Sequence, residues 1–168
     1  MAAEWEKAYI EMLVEELTDN SVEAFIEDID AEPSLVIPIA GRPGDKTGHD
    51  AKLSIEHAAG CSCFLIMVQL YGDIEDRIFA DIEKIEARIN EVLTVGNVSV
   101  FFEGKALFYN YALVFSEDMP AEMLTRQLGL AVSIAGKTAD AVMSILDPFI
   151  GGKISAGELL GKGIRKIQ

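Results

Sequence analysis

The sequence has few of the residues that bind metals or form disulfides: its 168 residues include only two cysteines and two histidines. The cysteines, Cys61 and Cys63, fall on one prospective strand, which argues against a disulfide framework and favours a reducing compartment. The start of the chain lacks a basic segment followed by an apolar run, so no signal peptide is predicted. We therefore expect a cytoplasmic protein.

Long apolar runs and basic residues are also scarce. The longest apolar run, Cys63–Val68, suits one buried strand and is far shorter than the roughly 20 residues that span a bilayer. There are 14 Lys and Arg residues against 28 Asp and Glu, for a net charge of −14. Nucleic acids and anionic membranes both require a basic footprint, so neither is an expected partner. The acidity fits a soluble protein or one that meets a basic partner.

What remains is an ordinary globular composition, with 50% hydrophobic residues. A first helix is predicted from Ala3 to Leu17 by its apolar stripe. Val22–Asp30 fits a helical turn and a short strand equally well. Leu35–Ala40 is rich in strand formers, but Pro38 cannot donate to a sheet, so we expect this strand at an edge. Gly41–Gly48 has the composition of a loop.

The second half of the chain has the clearer pattern. Lys52–Ala58 and Cys63–Tyr71 are predicted strands, and Asp73–Val95 is a helix with an isoleucine stripe that Asp73 caps. A hairpin around Glu103 and Gly104 follows, and Pro120 opens a long helix.

The predicted order is therefore α-β-β-β-α-β-β-α, an α+β fold with an antiparallel sheet. We expect one domain over residues 1–150 and a glycine-rich basic tail over 151–168. Leu160, Ile164 and Ile167 in this tail are spaced as in a short amphipathic helix. The alternative is a frayed terminus, as is common for glycine-rich ends.

The second half of the chain also resembles a known family. Four segments carry this resemblance: the helix Asp73–Val95, the strand Val-Gly-Asn-Val-Ser-Val-Phe-Phe, the strand Lys-Ala-Leu-Phe-Tyr-Asn-Tyr-Ala-Leu-Val-Phe, and the lead into the last helix, Ser-Glu-Asp-Met-Pro-Ala-Glu. All four are similar to the YbjN-like family. That family is similar in fold to the type III secretion chaperones. The resemblance covers roughly residues 50–150 and implies a small acidic α+β protein that is often dimeric. It implies no catalytic residues, and chaperones of this fold bind extended polypeptide on sheet and helix surfaces.

Two motifs suggest ligand chemistry. His49, His57, Cys61 and Cys63 provide four potential zinc ligands, although their spacing matches no standard zinc motif and buried cysteines often act as small apolar residues. Ala135–Thr138 contains the Gly-Lys-Thr of a phosphate loop but lacks its first glycine. It also continues a helical stripe, so we expect helix packing there, with Lys137 in water. No cofactor is predicted.

The second hairpin strand is apolar on both faces. One face carries the residues that we predict for a partner or dimer surface: Leu107, Tyr109, Tyr111, Leu113 and Phe115. The other face carries Ala106, Phe108, Ala112 and Val114, interrupted by Asn110. One face must pack on helices, and the second is either covered internally or presented to a partner. A symmetric homodimer is the simplest cover for an open face.

Together these patterns predict a non-enzymatic, chaperone-like module that binds a peptide or protein partner. The alternative is a small-molecule or metal-responsive sensor that uses the histidine and cysteine cluster. No pair of titratable residues is placed by the sequence for catalysis.

Overall fold

A computed structural model describes residues 4–19, 23–29, 32–39, 49–58, 61–115, 119–161 and 164. The elements are α1 (Glu4–Asp19), β1 (Phe25–Ile29), β2 (Glu32–Ile39), β3 (His49–Ala58), β4 (Cys61–Tyr71), α2 (Asp76–Asn90), β5 (Asn97–Phe101), β6 (Ala106–Phe115), α3 (Ala121–Ile150) and α4 (Ala156–Gly161). The α+β class is confirmed. The order contains one more strand than predicted, because the ambiguous segment before residue 30 forms β1.

The strands form one six-stranded sheet with the order β1-β2-β3-β4-β6-β5. The pairs β1/β2, β2/β3 and β5/β6 are antiparallel. Strand β2 lies between β1 and β3, so the prediction that it forms an edge was wrong. The pairing with β1 ends at Val36, and Pro38 lies beyond it, opposite Asp50 of β3. The proline is therefore tolerated because β1 does not extend that far.

The chain divides into two compact units, residues 1–67 with 112–133 and residues 68–111 with 134–168. In the first unit, α1 contacts β1 and β2. The Phe64 ring stacks on Phe115 with 4.8 Å between ring centroids, and Tyr9 lies 5.7 Å from Phe64. The Tyr9 hydroxyl is also 3.2 Å from the hydroxyl of Thr125 in α3. The buried apolar side chains of the same unit include Ile10, Leu13, Leu35, Val36, Ile66, Leu124, Leu128 and Ala131.

In the second unit, α2 packs on β5 through the predicted isoleucine stripe, of which Ile82, Ile85 and Ile89 are buried. The helix begins at Asp76 rather than near Asp73, and its N-terminal cap is Glu75, which makes no side-chain capping bond. The predicted cap at Asp73 was therefore wrong. The burial of these isoleucines confirms the predicted stripe. A stripe is easier to predict than a cap, because a 3.6-residue period depends on the whole segment whereas a cap depends on one residue.

The start of the predicted tail forms helix α4, which contacts α2 and buries Leu159. Its first turn carries a capping box. The backbone N–H of Glu158 donates a hydrogen bond to the Ser155 hydroxyl at 3.2 Å, and the backbone N–H of Ser155 donates one to the Glu158 carboxylate at 2.8 Å. A helix therefore forms in the tail, but it ends at Gly161 and does not reach Ile164, so it is not the predicted helix through Leu160, Ile164 and Ile167; Ile167 lies outside the described residues.

The turn between α2 and β5 depends on a glycine at position 96. Gly96 has φ +67°, and a Cβ there would lie 2.5 Å from the carbonyl oxygen of Asn110 and closer still to the Tyr109 hydroxyl. The backbone of this turn thus has both a left-handed conformation and no space for a side chain.

We expect Gly96→Ala to lower the free energy of unfolding by about 2–4 kcal/mol, because it adds backbone strain and a clash. Gly129→Ala is the matched control, since it lies in helix α3 with no atom within 4 Å of the added methyl group. That control should gain about 0.5–1 kcal/mol from helix propensity. Urea denaturation measures both variants, and an unchanged midpoint for Gly96→Ala would contradict the account of this turn.

Candidate functional site

One face of strand β6 is more buried than the other, and this difference bears on where a partner can bind. Leu107, Tyr109 and Phe115 are buried. On the other face Ala112 is exposed and Val114 is 61% exposed. The face predicted for a partner is therefore largely the core face, and that choice was wrong. A period of two separates the faces of a strand but does not say which face the helices cover.

The remaining members of the predicted surface, Tyr111 and Leu113, are half-buried. On the exposed face, Phe108 and Asn110 are also half-buried, and the amide of Asn110 donates to the Ser99 hydroxyl at 2.6 Å. The exposed face of the β5–β6 hairpin thus combines apolar rings with a polar cross-strand pair.

Tyr109 shows why its own face belongs to the core. Its side chain is 0% exposed, and its hydroxyl donates to the carbonyl of Val95 at 3.0 Å. Burial raises the pKa of the phenol above its ordinary value, while a hydrogen bond with Thr138 of α3 acts in the opposite direction. The hydroxyl is therefore a satisfied, neutral, structural group.

The hairpin turn and the elements beside it carry two pairs of phenylalanines, Phe101 with Phe108 and Phe102 with Phe79, and we call these four residues the aromatic tip. Phe101 is 49% exposed and Phe102 is 58% exposed. The ring of Phe101 meets Phe108 edge-on at 6.5 Å between centroids, and Phe102 meets Phe79 edge-on at 5.5 Å. Edge-on pairs of this kind hold aromatic rings in place without burying them fully.

A glycine lets the Phe101 ring fold over the turn. A Cβ on Gly104 would lie 2.6 Å from the Phe101 ring. From the sequence, Gly104 was predicted only as a turn residue, and the aromatic tip was not predicted. The sequence did contain an indication of exposed rings, namely two adjacent phenylalanines beside a glycine turn. A tight turn leaves few neighbouring residues that could cover both rings.

Charged residues lie on the hairpin turn and on the segment that is hydrogen-bonded to it. The amide of Ile74 donates to the carbonyl of Lys105 at 2.9 Å, which holds the segment before α2 against the turn. This segment supplies Asp73, Glu75 and Asp76, all of which are exposed. The Lys105 ammonium lies 2.8 Å from the carboxylate of Asp76.

Two further charges complete the rim of the tip: exposed Glu103, and Arg77, which pairs with Glu75. The Glu75 carboxylate raises the pKa of the Arg77 guanidinium, mainly through their hydrogen bond. The four acids and two bases give a rim of −2, which favours a neutral or basic contact surface.

The histidines and cysteines are spread along two strands. His49 and His57 stand near opposite ends of β3, and eight residues of strand span about 26 Å. The backbone therefore does not bring both histidines to one metal ion. Cys61 and Cys63 lie on β4, and Cys63 is buried. Among the residues whose side chains are described, no group of three metal-binding side chains occurs.

The phosphate-loop alternative is decided by the position of the motif in α3. Ala135–Thr138 lies in the middle of α3, where Ala135 is buried and Lys137 is exposed. A phosphate loop needs free backbone amides before a helix start, and these amides belong to a helix interior. The interpretation as helix packing is confirmed.

One described helix, Glu122–Ile150, is long and apolar enough to cross a membrane by length and composition. The sequence predicted no span, because its apolar residues are interrupted by polar ones. The buried residues of this helix form a single stripe from Leu124 to Phe149, as in the core helix of a globular protein. Core helices meet the same criterion, so the finding is weak support for a span.

Comparisons of the chain with family models, with curated proteins and with solved structures give no match. The resemblance to the YbjN-like family and to type III secretion chaperones stays a prediction.

We expect metal analysis of protein purified without a histidine tag to find sub-stoichiometric zinc, because His49 and His57 are far apart on β3. Mass spectrometry of the native protein after incubation with excess zinc measures this directly. A stable one-to-one zinc adduct that is lost in a Cys61→Ser, Cys63→Ser double variant would contradict the expectation.

Proposed function

We propose that this chain is a non-enzymatic protein-binding module, chaperone-like in role, which contacts its partner through the aromatic tip. The observation that supports this function is the exposure of Phe101 and Phe102 on a hairpin turn. Exposed aromatic residues held by neighbouring rings are typical of protein interfaces, where they supply a large contact area at a small cost in side-chain entropy.

The charges around the tip point to the chemistry of the partner. The rim of −2 and the net charge of −14 favour a segment with apolar residues and a basic flank. Charge of this kind mainly accelerates association and selects among partners. The affinity comes from the phenylalanine rings, which become buried when the partner binds. We place this activity in the cytoplasm, in line with the small number of cysteines.

The function is tested by replacing both tip residues. We expect Phe101→Ser with Phe102→Ser to reduce partner capture at least about tenfold, because exposed aromatic anchors dominate interface energies. The control is Leu130→Ser, which removes an apolar side chain that is 63% exposed on α3. Quantitative affinity capture from the source cells, followed by titration of the purified partner, measures the effect. Equal capture by the tip variant and the control would contradict the proposal.

We also propose that the chain forms a homodimer through the exposed face of β6, around Val114. A twofold interface covers an apolar patch with a second copy of itself, so no other partner is needed to remove it from water. Phe108 belongs both to this face and to the aromatic tip, whereas Val114 belongs to this face alone.

In light scattering we expect a mass near twice 18.3 kDa for the wild-type protein. Val114→Lys should shift the mass to 18.3 kDa, because it places like charges near the twofold axis. Leu130→Lys on α3 is the control and should leave the dimer intact. A wild-type protein that is monomeric at every concentration excludes this interface.

A further inference from the structure

Strand β5 is one edge of the sheet, and unpaired edge strands readily accept strands from other molecules. β5 spans Asn97–Phe101 and contains neither a charged residue nor a proline, which are the common means of blocking such pairing. Some other feature must therefore protect this edge.

The backbone of Val98 has hydrogen-bond partners on its outer side. Its amide donates to the side-chain oxygen of Asn90 at 2.8 Å, and its carbonyl accepts from the side-chain nitrogen of Asn90 at 2.9 Å. In an antiparallel pair, successive residues direct their backbone groups alternately toward and away from the partner strand. Val98, which is opposite Tyr109, therefore faces away from β6, and so does Val100, which is opposite Leu107.

Asn90 is suited to this position by the helix that carries it. It is the last residue of α2, which packs against β5. Its side-chain amide has two N–H donors and one carbonyl oxygen, and one N–H lies on the same side as the oxygen, so the two can meet the N–H and C=O of a single strand residue. Glu86, one turn earlier, lies 3.5 Å from the same side-chain nitrogen and favours the orientation in which the oxygen meets the Val98 amide.

We propose that Asn90 is an edge clamp, a side chain that occupies the outer hydrogen-bonding groups of β5 and prevents a strand of another molecule from pairing there. The clamp covers Val98 and leaves Val100 as the outward-facing residue beyond it. An incoming strand would then gain bonds at one residue of β5 instead of two, which is too little for stable pairing. The competing role is that Asn90 merely fixes the turn between α2 and β5.

The variant Asn90→Leu tests the clamp, because leucine keeps the size and helix propensity of the site but forms no hydrogen bond. Hydrogen exchange should become roughly fivefold or more faster at the Val98 amide, while the Ser99 amide, which faces β6, is unchanged. Ala87→Leu, an exposed position on the same helix, controls for the added apolar side chain.

The second measurement is self-association. Light scattering over a concentration series should show a mass for Asn90→Leu at least double that of the wild type, with no change for Ala87→Leu. Adding Val100→Pro should restore the wild-type mass, because proline removes the outward amide that an added strand would use and leaves the pairing with β6 intact. If Asn90→Leu does not fold, Asn90→Ala replaces it, since alanine suits a helix and loses both the acceptor for the Val98 amide and the donor to its carbonyl.

Faster exchange at Val98 together with a mass increase that Val100→Pro reverses supports the edge clamp. A variant that loses stability but keeps the wild-type mass shows that Asn90 only fixes the turn, and this overturns the proposal. A mass increase that Val100→Pro does not reverse also overturns it, because association would then use another surface.

Discussion

The buried phenol of Tyr109 is the constraint on which the second unit depends. A hydroxyl without water must find a partner, and Tyr109 finds it in the carbonyl of Val95, in the turn between α2 and β5. The same ring occupies the space beside Gly96, so this turn has one allowed backbone course. That course sets where β5 begins, and hence the positions of the Asn90 bonds to Val98 and of the aromatic tip at the other end of the strand.

Much of the fold follows from periodicity, and the errors fall where periodicity is weak. The isoleucine stripe of α2 and the alternation in β6 extend over many residues, so they identify a helix and a strand without tertiary information. In β1, by contrast, Phe25 and Ile26 are both exposed. An edge strand with adjacent exposed apolar residues has no period of two, so only its pairing with β2 identifies it as a strand.

The candidate site was less accessible from the sequence than the fold. Strand β6 was identified correctly as apolar on both faces, but the direction of the helices is a long-range property. The clamp was also invisible, because an asparagine at the end of a helix is usually read as a local signal for the helix terminus. For α4 a local signal did exist: Ser155 and Glu158 have the spacing of a capping box, and it identifies a helix within a glycine-rich segment.

Two of the hydrogen bonds described above differ in how much chain they enclose. The Asn90 bond to Val98 closes a loop of eight residues, whereas the Tyr9 bond to Thr125 joins positions 116 residues apart. Loop-closure entropy makes the longer closure costlier by about 2 kcal/mol. By loop-closure entropy alone, the contact between Asn90 and β5 is therefore the easier of the two to form before the rest of the chain has folded.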